Sequence, residues 1–166
     1  MDIVNLQEHY VTKIYQLEKI CYPNEFLSVN QIQSYITDFA KNGLLIKDNE
    51  FIIGYSIVIN DDTEIDLRLG IHPQYRRLQH ATRLLNKVKS KLNHSKNILK
   101  CWVPEDNLDG QLFLRSHGFI CTKTDNTHYK RRKTPGYMFI YRLEWGFNEQ
   151  NGILVPDELE LGLDAV

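Results

Sequence analysis

The sequence predicts a mixed, mostly antiparallel α/β (α+β) sheet with helices on its faces. Two amphipathic helical stretches open the chain, three short apolar runs separated by polar clusters follow, and helical and strand-like segments then alternate. Residues 7 to 21 read as the first helix, with Tyr10, Val11, Ile14, Leu17 and Cys21 on its apolar face, and the Tyr22-Pro23 pair interrupts it. Ser28 to Gln31 fits a capping box, and Ile32, Tyr35, Ile36 and Phe39 then recur at helical spacing up to a stop near Gly43. From Leu44 the runs LLIK, FIIGYSIVI and EIDLRLGI, separated by DNE and NDDT, predict three strands joined by hairpins. Pro73 ends the third.

Ala81, Leu84, Leu85, Val88 and Leu92 then repeat at helical spacing, and Arg83, Lys87, Lys89, Lys91 and Lys96 are read as a solvated basic stripe beside them. ILKCWV is a strand, PEDN a turn, LDGQLFLRS a short helix and Gly118 its left-handed stop. Two last strands are expected at FICTK and near YMFIYRL. The order is αα-βββ-α-β-α-ββ, with room for a short strand before the first helix. One domain is expected over residues 1–147, followed by an acidic tail at 148–166 that is either loosely attached or a docking segment.

With 166 residues, 42% hydrophobic, and 20 Lys+Arg against 21 Asp+Glu, the chain can bury a core without disulfides or structural metal. Collagen-like, disordered and disulfide-scaffold classes are excluded. The near-zero charge and the absence of an RRM, KH or zinc-finger pattern argue against nucleic acid as a partner. The polar start lacks the pattern of a secretory signal, and the longest apolar run, Phe51 to Ile59, is about half of the roughly 20 residues a membrane helix needs. A cytoplasmic protein without a membrane partner is expected. Cys21, Cys101 and Cys121 form no CxxC pair and read as buried free thiols. No metal-ligand spacing is present, so no metal is expected. Edge strands permit a homodimer.

The segment Leu69-Gly70-Ile71-His72-Pro73 runs into the turn Gln74-Tyr75-Arg76-Arg77 and a helix start. Amides in the first helical turn have no partner inside the helix, and the helix dipole adds positive charge there, so an anion can be held by backbone with Arg76 and Arg77 as reinforcement. Arg76, Gln79 and Ala81 occupy the positions of an Arg/Gln-x-x-Gly-x-Gly/Ala motif that follows Ile71 and Pro73. In a second block, VPEDNLDGQLFLRSHGF, Asn107 and Gly118-Phe119 fall at a matching separation. With both blocks in order, residues from about 6 to 143 resemble the GCN5-related N-acetyltransferases, and the YPNEF loop loosely resembles that of the ribosomal-protein alanine acetyltransferase branch.

The resemblance implies a sheet splayed between its fourth and fifth strands and transfer of an acetyl group from acetyl-CoA, as cosubstrate, to an amine. It implies that Leu69, Gly70 and Ile71 pair with the pantetheine arm. The pyrophosphate would rest on amides of Arg76, Arg77, Leu78, Gln79, His80, Ala81 and Thr82, with the Thr82 hydroxyl as an extra donor, and Asn107 would face the pantetheine. His72 and His80 flank this turn. Tyr22, Glu25 and Phe26 on one loop, and Arg131 and Arg132 within the Lys130–Lys133 run on another, would border the acceptor mouth. The basic run suits an acidic peptide or another anionic amine.

Departures from the family pattern are equally specific. Gln79 puts a side chain where the motif has its first Gly. Leu114 stands where a tyrosine often serves as acid, and Ile65, Leu67 and Trp102 stand at usual base positions. Strand alternation would turn Glu64 and Asp66 to the opposite, solvent face. An ammonium has no lone pair for attack, so the chemistry still needs a base. His128 and Tyr129, before the last strand, are the candidates nearest the cleft. Two readings follow: an active N-acetyltransferase, or a catalytically degenerate acetyltransferase-like domain serving as a CoA-binding or protein-interaction module.

Overall fold

Local signals set most element boundaries. In the computed structural model, which describes residues 1–39, 43–60, 64–131 and 133–143, the strands are β1 (Asp2–Asn5), β2 (Leu44–Asp48), β3 (Phe51–Asn60), β4 (Glu64–Ile71), β5 (Ile98–Pro104), β6 (Ile120–Tyr129) and β7 (Thr134–Arg142). The α-helices are α1 (Val11–Cys21), α2 (Val29–Phe39), α3 (His80–Lys89) and α4 (Leu108–Ser116). A capping box starts α2: the Gln31 amide donates to Ser28 Oγ at 3.2 Å, and the Ser28 amide donates to Gln31 Oε1 at 3.0 Å. Asn107 caps α4 by accepting from the Gly110 amide at 3.0 Å, and Gly118 stops the chain beyond it at φ 80°. Before Pro23, Tyr22 leaves helical geometry at φ −135°, ψ 64°.

The strands form one sheet in the order β1-β2-β3-β4-β5-β7-β6, antiparallel except for β4 beside β5. Helices cover both faces. On one, Val11, Ile14 and Leu17 of α1 and Ile32 and Ile36 of α2 pack on Leu45, Tyr55 and Ile57; on the other, Leu84, Leu85 and Val88 of α3 and Leu114 of α4 pack on Ile65, Leu67, Leu99 and Phe139. The β4–β5 pairing lasts only from Glu64↔Ile98 to Asp66↔Lys100. Beyond it, β4 stays paired with β3 as far as Ile71 and β5 with β7 as far as Pro104, so the two strands part and leave a gap.

Several expectations are corrected. The first helical stretch begins as a 3-10 turn, Glu8–Tyr10, before α1. The penultimate strand runs to Tyr129 rather than ending near Lys123. Most of its residues beyond Cys121 are exposed on an edge strand, so no buried face printed an apolar alternation there. Helix α3 stops at Lys89 although apolar spacing continues to Leu92, because the amides of Lys91 and Leu92 turn to carbonyls three residues back. Lys89 is not on a solvated stripe: its ammonium lies 3.8 Å from the Tyr141 ring centre and donates to the His117 carbonyl at 2.5 Å. The three cysteines are free and half-buried rather than fully buried. Among the described residues no helix is long and apolar enough to cross a membrane. Arg132 and the acidic tail at 148–166 lie outside the described residues.

Candidate functional site

The gap between β4 and β5 opens at one end on the start of α3. After Ile71, Pro73–Tyr75 form a 3-10 turn, Arg76 returns to extended geometry with its Nε donating to the Ile71 carbonyl at 3.2 Å, and Arg77 and Gln79 both sit at φ 62°. Gln79 therefore follows the left-handed path that a glycine takes freely, at a cost of about 1–2 kcal/mol for a residue with a Cβ. Its side chain is exposed and does not cap the helix, so the first amides of α3 stay open. Arg76, Arg77 and Leu78 are exposed beside them, while Ala81 and Thr82 are half-buried. His80 is only 5% exposed, and neither of its ring nitrogens has a hydrogen-bond partner. His72 is half-buried, with Nδ1 likewise unpartnered. Uncapped amides, the positive end of the helix dipole and the exposed guanidinium groups of Arg76, held by the Ile71 carbonyl, and Arg77, 3.7 Å from the Asp109 carboxylate, make an anion cradle.

The Thr82 hydroxyl is already committed. His117 Nδ1 lies 2.7 Å from the Phe113 carbonyl, which can only accept, so Nδ1 carries a proton, and Nε2 is in hydrogen-bond contact with Thr82 Oγ1 at 3.1 Å. The expected extra donor is thus turned toward α4. Asn107 Oδ1 is likewise spent on its cap. On β4, the Leu69 carbonyl accepts from the Tyr22 hydroxyl and the Ile71 carbonyl from Arg76. Gly70 leaves room for Tyr55, whose ring carbon Cε1 would stand 2.5 Å from a Cβ there.

At its other end the gap faces the loop between α1 and α2. Glu18 of α1 is wholly buried, and its carboxylate accepts from the Tyr55 hydroxyl, Arg68 Nε at 2.6 Å and the Leu27 amide at 3.1 Å. Burial pushes this carboxyl above the usual range against the pull of Arg68. Arg68 of β4 also donates to the Glu25 carbonyl at 2.7 Å and lies 4.0 Å over the Tyr22 ring. The β6–β7 connection closes the other side: Glu25 Oε1 accepts from the Arg131 amide at 3.0 Å, and the Arg131 guanidinium stands 5.8 Å from the Phe26 ring centre. The structure brings Tyr22, Glu25, Phe26 and Arg131 together, Tyr22 and Glu25 on Arg68 and Glu25 and Phe26 on Arg131.

His128 stacks on Trp102 at 3.9 Å and 13°, with Tyr129 edge-on to His128 at 4.7 Å. Gly136 of β7 makes the stack fit, since a Cβ there would come within 2.9 Å of His128 Cβ and 3.1 Å of Trp102 Cε3. His128 is exposed, and the partial desolvation it undergoes, acting against the nearby carboxylates of Asp125, Glu25 and Asp66, lowers its imidazole below the ordinary value. Tyr129 is buried, in line with a packing role.

The β4 face assignment is also corrected. Ile65 and Leu67 are buried beneath α3, and the residues turned toward the α1 side are Asp66 and Arg68. Rather than standing free on a solvent face, Glu64 and Asp66 pair with Lys100 of β5, the Asp66 pair at 3.7 Å. Leu114 lies in the core against α3. Sequence reasoning missed Arg68 and Glu18, although a carboxylate seven residues after Val11 on the apolar face of α1 was a visible signal.

The model of the acetyltransferase (GNAT) family matches residues 11–119. Ard1 from Thermoplasma volcanium superposes with a TM-score of 0.79 at 14% identity over 86% of this chain and 97% of that one. The ribosomal-protein-S18-alanine N-acetyltransferase from Escherichia coli superposes with a TM-score of 0.73 at 14% identity, over 89% and 97% of the two chains. The GphF GNAT-like decarboxylase, in complex with isobutyryl-CoA, superposes with a TM-score of 0.76 at 13% identity, over 86% and 100%. At these identities the structural likeness shows the fold. No curated protein matches the sequence at a significant level.

Proposed function

Because the chain belongs to the acetyltransferase (GNAT) family, we propose that it is an N-acetyltransferase carrying an acetyl group from acetyl-CoA to an amine of a small molecule or peptide by direct attack. One observation carries this reading: the parallel β4–β5 pairing ends at Asp66↔Lys100, and the resulting gap joins the uncapped start of α3 to a mouth built from two loops. Acetyl-CoA would supply an activated thioester. Arg76, Arg77 and the amides from Leu78 to Thr82 would hold its diphosphate, and the backbone from Leu69 to Ile71 and Asn107 would flank the pantetheine.

Attack needs an amine that has lost its proton. A neutral imidazole at the mouth, aligned by Trp102, can take it, so His128 is assigned the base. The basic residues Lys130, Arg131 and Lys133 are exposed at the same mouth and favour an acceptor that also carries negative charge. Leu114, buried and without a donor, is the observation that favours the rival reading of a degenerate, CoA-binding or interaction module.

Calorimetric titration with acetyl-CoA, with desulfo-CoA and ATP as controls, tests the reading, followed by an amine panel. Saturable binding, weakened at least about tenfold in Arg76→Glu by reversal of a charge at the anion cradle, is the expected result. Turnover should fall about 10²–10⁴-fold in His128→Gln with acetyl-CoA affinity unchanged. Absence of heat at millimolar acetyl-CoA overturns the reading, and binding without turnover on any amine transfers the chain to the degenerate class.

A further inference from the structure

The reaction proposed above releases a thiolate, and negative charge developing on sulfur inside a buried gap requires a hydrogen-bond donor. Helix α4 offers none at Leu114. Cys101, the first β5 residue past the strand pairing, is pushed by burial to about 12, so its thiol is a weak donor. Tyr22 offers a strong donor from the opposite side of the sheet.

Tyr22 closes α1, and its hydroxyl donates to the carbonyl of Leu69, on the stretch of β4 that has parted from β5. The ring is clamped by the Arg68 guanidinium 4.0 Å above it, and Arg68 is itself fixed by Glu18 and the Glu25 carbonyl. The His72 amide donates to the Ile53 carbonyl, so the alternation of the antiparallel β3–β4 ladder turns the Leu69 carbonyl away from β3 and toward the gap, which sets the phenol there. Resting on the reading of this gap as the passage for the thioester, we propose that the Tyr22 hydroxyl is a catalytic residue that donates a hydrogen bond to the departing sulfur.

The amine nitrogen forms the C–N bond at the acetyl carbon, and the C–S bond breaks with its electron pair going to sulfur. The surplus proton of the amine goes to His128 and on to water. The hydroxyl of Tyr22 exchanges the Leu69 carbonyl for the sulfur as its acceptor, and the thiolate takes a proton from water as it leaves. Tyr22 keeps its own proton throughout. Burial raises this phenol well above the usual tyrosine range, so it remains a donor at every working pH.

The test needs no acceptor. CoA bound to the full chain is titrated with pH while thiolate absorbance is followed, in the natural protein and in Tyr22→Phe, each corrected for the protein without CoA. A charge-assisted hydrogen bond to sulfur should make the bound thiol ionise about one pH unit lower in the natural protein, a tenfold difference in thiolate at a fixed pH. Equal titrations with CoA bound in both proteins overturn the role of Tyr22 and leave the acetyltransferase reading standing. Failure of the natural protein to bind CoA overturns both. Should Tyr22→Phe not fold, 3-fluorotyrosine at position 22 keeps the hydroxyl and alters only its acidity; an unshifted thiol titration there equally overturns the proposal.

Discussion

Replacing Glu18 by alanine tests whether the floor of the mouth is held by charge. The carboxylate is 0% exposed and serves three donors, while the Arg68 side chain it neutralises is only 21% exposed. Glu18→Ala leaves a mostly buried guanidinium without its counter-charge, and it orphans the hydroxyl of Tyr55, itself wholly buried. Breaking a buried pair from one side costs about 3–5 kcal/mol, a range that already includes much of the penalty for stranded partners. For a domain of this size that is a fall in melting temperature of roughly 6–20 °C. Urea and thermal melts measure it directly. Burial raises the Glu18 carboxyl despite Arg68, so the intact pair is itself no large source of stability. The double variant Glu18→Leu/Arg68→Met should therefore recover most of the loss. A cost below about 1 kcal/mol for Glu18→Ala, or a double variant less stable than Glu18→Ala alone, would refute the reasoning.

Other outcomes follow from single contacts. Gln79→Gly relieves about 1–2 kcal/mol of left-handed strain against about 0.5–1 kcal/mol of added chain entropy, so urea melts should show a net gain of about 0.5–1 kcal/mol; a loss would contradict the strain argument. Burial lowers Lys89 from 10.5 to about 8. Between those values the unfolded chain binds more protons than the folded one, so stability contributed by this group rises with pH across that window. Lys89→Met should flatten that slope in a pH series of melts, and an unchanged slope would mean the ammonium is solvated. Gly136→Ala should displace His128 from Trp102 and cut turnover about tenfold through misalignment of the base, with acetyl-CoA affinity retained; unchanged turnover would remove the stack from the chemistry.

Much of this molecule was legible one stretch of chain at a time. The Ser28–Gln31 capping box, the break at Tyr22-Pro23, the Gly118 stop and the apolar spacing of α1 to α4 involve residues a few positions apart, and local geometry decides them. So does the order of the two motif blocks, which placed the anion cradle at the start of α3 and the resemblance to the family. The edge strand β6 escaped notice beyond Lys123 because pairing with β7 holds it, and such pairing leaves no apolar pattern where neither face is buried.

Contacts between distant segments lay beyond that reach. Glu18 meets Arg68 across 50 residues, Thr82 meets His117 across 35, and Glu25 meets Arg131 across 106. Alternation along β4 separated odd from even residues but carried no sign of what covers each face, so Glu64 and Asp66 were expected on a free solvent face although they pair with Lys100. Residue types and their spacing disclosed a family and a cradle for an anion; how the opposite mouth is walled, and which hydroxyl enters the gap, follow from burial and from hydrogen-bond partners that only the packed chain brings within reach.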